Sequence, residues 1–186
     1  MSILYIILIG VSLSLDAVAV AVSNGISHQK INFRESLKLA FAFGFFQMLM
    51  PIIGWSVGVQ FDKYINDFDH WIAFILLSIV GAKMIYESLS EGDFKQKACA
   101  LGHFKILCLS IATSIDALAV GISFAFLKSD IYFPALIIGI ITFILSFIGG
   151  TLGRKIGNIF GKKVQSAGGL ILVIIGAKIL IEHIYF

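Results

Sequence analysis

Six long apolar stretches, separated by short polar joins, run through the sequence. A helix needs about 20 residues to cross a bilayer, which is close to the length of each stretch. Every backbone polar group inside a bilayer needs an internal partner, so these stretches are predicted to be helices. The predicted spans cover approximately residues 3–23, 36–59, 70–87, 105–127, 131–152 and 166–186.

Composition agrees with a membrane protein. Of 186 residues, 59% are hydrophobic and 13% are charged, against about 25% charged in an ordinary soluble domain. The mean hydropathy is +0.98. The net charge of +3 and the lack of a basic, aromatic-rich patch argue against nucleic acid as a partner. The sequence therefore predicts an all-α integral membrane protein, a single domain over residues 1–186 in contact with the lipid bilayer.

Basic residues in the joins predict the orientation. The first, third and fifth joins hold ten Lys and Arg residues, whereas the second and fourth hold two. Cytoplasmic loops carry the excess of Lys and Arg, so the first, third and fifth joins are expected in the cytoplasm. Both termini are then expected outside. No Lys or Arg precedes Lys30, and the first stretch is long enough to span, so it is predicted to be a retained helix rather than a signal peptide.

The two halves of the chain repeat each other. Residues 14–20 match 114–120 at an offset of 100, and residues 81–83 match 176–178 at an offset of 95. Glycines of the second and fifth spans also match at 95, namely Gly44, Gly54 and Gly58 with Gly139, Gly149 and Gly153. This order of matches indicates duplication. Repeat 1 is predicted at approximately 1–90, a cytoplasmic linker at 91–104 and repeat 2 at 105–186.

Three spans per repeat place the second copy in the membrane in the opposite sense. Inverted repeats are typical of secondary transporters, whose binding sites lie near the midplane where the repeats meet. Each repeat contributes one aspartate near the middle of its first span, Asp16 and Asp116. On antiparallel equivalent helices, these two carboxylates are able to face each other.

An ionised aspartate in the bilayer centre costs about 2.5–3.5 kcal/mol, so such residues usually serve a function. Two protonated carboxyls bonded to their neighbours are the alternative. Carboxylate and hydroxyl oxygens suit Mg, Ca or Mn, and neither motif contains the His or Cys expected for Zn or Cu. Asp16 and Asp116 are therefore candidate metal ligands.

Further oxygens near the two aspartates could complete a metal shell. These candidates are Ser12, Ser23, Asn24, Thr113, Ser123, and Gln47 with Thr142 at matched positions of the second and fifth spans. Each hydroxyl could instead bond to the carbonyl one turn back in its own helix.

Lys83 and Lys178 form a second matched pair, each four residues before a glutamate, Glu87 or Glu182. Three interpretations remain open: an ion pair with that glutamate, extension of the ammonium toward the membrane interface, or pairing with an aspartate when no metal is bound.

Two backbone features also stand out. Gly25 is a candidate C-cap of the first helix, and Pro51 is a candidate kink or hinge in the second.

Segments 14–17, 23–25, 70–74 and 112–121 resemble the MntP family of bacterial manganese efflux pumps, and the resemblance covers essentially the whole chain. It implies a multi-pass protein of the bacterial inner membrane that is not an enzyme, with Mn²⁺ as transported substrate and no cofactor. The aspartate of each repeat, here Asp16 and Asp116, is taken as essential in that family. Val18, where an aromatic is expected, and the Lys178/Glu182 pair depart from the family pattern.

The expected mechanism is alternating access around a midplane site. Metal binding to carboxylates displaces protons, so exchange of protons for Mn²⁺ is a natural hypothesis. One alternative is an exporter of another divalent cation, and another is a structural membrane protein. An intramembrane aspartyl protease is a third, although Leu15 and Ile115 stand where its G-x-G-D motif needs glycine. The oligomeric state does not follow from the sequence.

Overall fold

A computed structural model describes residues 3–27, 33–62, 69–89, 103–156, 170–178 and 181. These residues are helical apart from short turns, and no strand occurs among them. The prediction of an all-α protein is confirmed. The helices are α1 (Ile3–Ser27), α2 (Phe33–Asp62), α3 (Asp69–Leu89), α4 (His103–Thr113), α5 (Ile115–Phe126) and α6 (Tyr132–Ile156), followed by the helical segment 170–178.

Four helical stretches of the described residues are long and apolar enough to cross a membrane. They are Ile3–Ser23, Phe33–Gln60, Ile106–Phe126 and Tyr132–Leu152. Within α3 a shorter apolar part, Phe74–Lys83, corresponds to the predicted third span. The predicted sixth span falls partly outside the described residues, and its described part, 170–178, is helical.

The fourth predicted span is not one continuous helix. It divides at Ser114, whose φ of −105° and ψ of 3° leave the α-helical region. The Ser114 amide donates to the Ile111 carbonyl at 3.1 Å, a bond to the third residue back instead of the fourth. Hydropathy does not report such a break, because both sides of it are apolar.

Apolar side chains dominate both the interior and the outer surface of the bundle. One buried cluster joins α1, α3, α5, α6 and segment 170–178, with members such as Ile9, Leu77 and Val120. Large apolar side chains also point outward, among them Phe41 and Ile79 at 66% and 60% exposure. Soluble monomers rarely expose contiguous apolar surface of this kind, whereas lipid chains cover it without penalty.

Glycines let the central helices approach closely. Gly54 and Gly58 are four residues apart in the sequence, a spacing of small residues that predicts close helix packing in membranes. A Cβ on Gly54 of α2 would overlap the Leu118 carbonyl oxygen of α5, and one on Gly121 would overlap the Pro51 carbonyl oxygen. Where α2 crosses α6, a Cβ on Gly44 would lie 2.9 Å from the Gly139 oxygen. These contacts leave no room for a side chain, so backbone packs on backbone.

A short, well-bonded turn joins α5 to α6. Lys128 has a φ of 51°, its amide donates to the Ala125 carbonyl, and the Ser129 amide donates to the Phe124 carbonyl. This is the Schellman arrangement, with lysine at the left-handed position that glycine usually occupies. The Trp55 indole of α2 donates to the Ser129 carbonyl at 3.0 Å, which ties the turn to α2.

The predicted C-cap at Gly25 is wrong, because α1 continues to Ser27. Glycine permits a left-handed cap but does not impose one, and no described glycine has a positive φ. Pro51 lies inside α2, as predicted, and is buried against α5. A hinge at Pro51 stays a prediction.

Candidate metal site

Asp116 is a buried carboxylate held by a lysine from another helix. It lies in the first turn of α5, directly after the break at Ser114, where the partial positive charge of a helix N-terminus favours an anion. Its side chain is 8% exposed. The Lys83 ammonium of α3 donates to both carboxylate oxygens, at 2.8 and 3.1 Å. The pair is charge-assisted and therefore stronger than a neutral hydrogen bond.

The helix around Asp16 and the burial of its side chain differ from those of Asp116. Asp16 lies in the unbroken helix α1 and is half-buried. Its neighbour Leu15 belongs to the same buried cluster as Ala117, the residue after Asp116. The two aspartate motifs therefore border one apolar core.

Gln47 links the two aspartate-bearing helices. Its side chain is fully buried on α2, and its amide nitrogen donates to the Leu13 carbonyl of α1 at 3.1 Å. Its amide oxygen accepts from the Ser114 hydroxyl at 2.8 Å. Both ends of the amide are thus engaged within the protein. Gln47 thus joins Leu13, three residues before Asp16, to Ser114, two residues before Asp116.

Three predicted hydroxyl ligands bond to their own helices. Thr113 donates to the Leu109 carbonyl, Ser123 to the Ala119 carbonyl and Thr142 to the Ile138 carbonyl. This is the alternative that the sequence left open. A hydroxyl that donates its proton keeps oxygen lone pairs, so the bond does not prevent it from coordinating a cation.

Three buried hydroxyls have no hydrogen-bond partner among the described residues: Ser12 on α1, Ser78 on α3 and Ser146 on α6. Ser12 was a candidate ligand, whereas Ser146 was not recognised. The repeat offset of 95 pairs Ser146 with Pro51, so comparison of the repeats points away from it. Its spacing of four from Thr142 places both on one helical face, and that signal could have found it.

Lys178 matches Lys83 in the repeat, and we call two residues matched in this way twins. The surroundings of Lys178 differ from those of Lys83. The Lys178 ammonium contacts the Tyr5 hydroxyl of α1 and lies 4.4 Å from the centroid of that ring. Of the remaining candidates, Ser23 is half-buried in α1, Asn24 lies near the end of α1 and Glu87 lies in α3, while Glu182 falls outside the described residues.

Within the described residues, no group of three or more His, Cys, Asp and Glu could hold a metal ion by itself. A cation at Asp116 would therefore take further oxygens from hydroxyls, carbonyls or water, as hard divalent ions commonly do. The polar groups described above are of that type.

Comparison with known proteins identifies the family. The family model described as "Putative manganese efflux pump" matches residues 30–180. A protein of that description from Crocosphaera subtropica is 50% identical over 184 residues, covering 99% of this chain and 98% of that protein. The chain belongs to the manganese efflux pump family.

Other members of the manganese efflux pump family show the same extent of similarity. A Clostridium botulinum member is 48% identical over 193 residues and a Clostridium perfringens member 47% over 204, each match covering 98% of this chain and 96% of the relative. No solved structure matches the chain. The family membership and the apolar helices together make this a multi-pass membrane transport protein.

Proposed function

We propose that this protein exports Mn²⁺ across the bacterial inner membrane and that Asp16 and Asp116 ligate the ion during transport. The buried carboxylate of Asp116, inside a bundle of apolar helices, is the observation that carries the proposal. An ionisable side chain at membrane depth is costly and usually serves a function, and a carboxylate is a ligand that a divalent cation can use. The names of the relatives supply manganese as the ion.

Glycine contacts support a site between inverted repeats. Gly54 packs on Leu118 and Ile122, and its twin Gly149 packs on Val18 and Val22, which are the twins of those two residues at the offset of 100. Where α2 crosses α6, Gly44 meets Phe143 and Gly139 meets Met48, again twins at 95. Contacts that exchange in this way are expected of a two-fold axis between the repeats.

The proposed mechanism is alternating access. Repeat 1, at approximately 1–90, and repeat 2, at 105–186, would rock around the aspartates and open the site to one side at a time. Both termini would lie outside, with the linker at 91–104 in the cytoplasm. Tags on the two termini should react with a membrane-impermeant reagent in intact spheroplasts, whereas a tag in the linker should not.

Proposed ligands beyond the aspartates are oxygen groups of the shell predicted from sequence. Ser12 supports this best, since its buried hydroxyl lacks a hydrogen-bond partner among the described residues. Protons are the proposed counter-ion, because metal binding to carboxylates competes with protons. Mn²⁺ flux in vesicles should respond to an imposed pH gradient, and flux that ignores the gradient would contradict proton exchange.

The central test is cellular manganese content in an efflux-deficient host. Wild type should lower manganese content, whereas Asp16→Asn and Asp116→Asn should leave it high. Asp130→Asn, at an exposed position between α5 and α6, is a matched control that should behave as wild type. Equal manganese content in all four strains, at equal protein levels, would refute the function. Competition by Cd²⁺, Ca²⁺ and Mg²⁺ would then define selectivity.

A further inference from the structure

We propose that the Lys83 ammonium occupies the cation position at Asp116 in the ion-free protein, and that a transported divalent cation must displace it. Lys83 would then be a built-in competitor that limits the affinity of the site. The inference rests on the proposed function, since it assumes that Asp116 binds the ion.

The contact geometry supports competition. Lys83 Nζ reaches both oxygens of Asp116, at 2.8 and 3.1 Å, so it sits across the open end of the carboxylate. A divalent cation bound to this carboxylate needs the same oxygens. Two positive groups a few ångströms apart repel each other, and both would need the same two oxygens. The ammonium and the ion are therefore alternatives on Asp116.

Burial indicates which partner moves. The Asp116 side chain is 8% exposed and fixed in the first turn of α5, whereas the Lys83 side chain is 43% exposed. Lysine carries its charge on a flexible four-carbon stem, so the ammonium can leave while its helix stays in place. A charge of +1 on Lys83 also neutralises Asp116 when no ion is bound, which lowers the penalty of the empty site.

The repeat provides a matched control for this role. Lys178 stands at the twin position, but its ammonium contacts Tyr5, which lies eleven residues before Asp16 and so about 16 Å away along α1. Lys83 contacts a buried carboxylate, whereas the Tyr5 contact of Lys178 is with a phenol hydroxyl and its ring. Removal of the Lys178 charge should therefore leave ion affinity unchanged.

Equilibrium Mn²⁺ binding to the full chain in lipid nanodiscs tests the proposal, with free Mn²⁺ measured by its electron paramagnetic resonance signal. Lys83→Met should lower the Kd at least about tenfold, and Lys178→Met should change it by less than about twofold. Lys83→Arg keeps the charge and should not lower the Kd. Export by Lys83→Met should slow, because the ion then leaves the site less readily.

The outcomes separate this proposal from the proposed function. If Asp116→Asn abolishes binding but Lys83→Met binds no tighter than wild type, competition by Lys83 is wrong and the ion site stands. If Asp116→Asn binds Mn²⁺ as wild type does, the ion site itself is wrong.

A measurement on the unmodified sequence covers the case in which Lys83→Met fails to fold. Reductive methylation of amines, read by peptide mass spectrometry, should modify Lys83 severalfold faster at saturating Mn²⁺ than without it, while Lys178 stays constant. In Asp116→Asn, Lys83 should react fast under both conditions. Unchanged or slower modification of Lys83 at saturation would overturn the proposal.

Discussion

The two aspartate-bearing spans share a sequence motif but differ in structure. Asp16 lies half-buried in the continuous helix α1, whereas Asp116 is buried just after the break between α4 and α5. The motif thus specifies a position in the fold, and the helices around it decide the environment.

The difference extends to further twins. Ser114 donates across to Gln47 of α2, whereas Ser14 donates to the Val11 carbonyl of its own helix. Lys83 and Lys178 likewise contact different groups, and Gln47 has the shorter Thr142 as its counterpart. Substitution of both members of each pair is therefore a direct measure of the asymmetry.

The largest contrast is expected between Gly54→Ala and Gly149→Ala. A Cβ at Gly54 would overlap the Leu118 carbonyl oxygen, so α2 and α5 must separate, which should destabilise by about 3 kcal/mol or more. At Gly149 the nearest atom is a Val22 methyl carbon 3.1 Å away, which is able to shift, so the loss should stay near 1 kcal/mol. Thermal unfolding in detergent checks this, and equal losses would show that the two crossings are equally tight.

Next comes the Lys83–Asp116 pair, measured in the absence of Mn²⁺. Lys83→Met leaves a buried carboxylate without this partner and should destabilise by about 1–3 kcal/mol, discounted for the exposure of the lysine. Lys178→Met should have a smaller effect, because it removes a contact with the Tyr5 hydroxyl and ring and leaves no buried carboxylate at that contact. A double-mutant cycle with Asp116→Asn isolates the coupling. Additive effects in that cycle would contradict the pairing.

Gln47→Leu and Thr142→Val form the third contrast. Gln47→Leu removes both links of the bridge and leaves the Ser114 hydroxyl buried without that acceptor, an expected loss of about 1–2 kcal/mol. Thr142→Val should lose about 0.5 kcal/mol or less, since Thr142 bonds only within α6 in the contacts described. Unfolding midpoints check stability. A Thr142→Val protein that is stable but defective in Mn²⁺ export would mark Thr142 as a ligand.

The smallest contrast concerns the two serines of the repeated motif. Ser114→Ala should destabilise the protein by about 1 kcal/mol, because the bond to Gln47 is lost. Ser14→Ala should destabilise it by only about 0.3 kcal/mol, because the Ser14 bond lies within one helix turn. Chemical denaturation with matched protein samples resolves such differences. A larger effect at Ser14 would reverse the comparison.

The parts of the fold that sequence could predict are those set by local pattern. Apolar length marked the membrane-spanning helices, and the Gly54–Gly58 spacing marked the tight crossing of α2. The break at Ser114 was not predicted because both sides of it are apolar, and the side-chain bond of Ser114 is to Gln47, which is 67 residues away in the chain. For the same reason the partner of Lys83 stayed open among three interpretations: the choice depends on how α3 packs against α5, and no periodicity within α3 encodes that.

The bond from Trp55 to the α5–α6 turn also makes Trp55 an intrinsic fluorescence probe of this contact. The chain holds two tryptophans, and Trp71→Phe leaves Trp55 as the sole indole. The ring centroids of Trp55 and Tyr132 are 6.1 Å apart, and the indole N–H of Trp55 donates to the Ser129 carbonyl. The emission of Trp55 therefore depends on how α2 packs against the start of α6. Any rocking of one repeat on the other would change that surrounding. Trp55 fluorescence would therefore report the rocking that the proposed alternating access requires, without an attached dye.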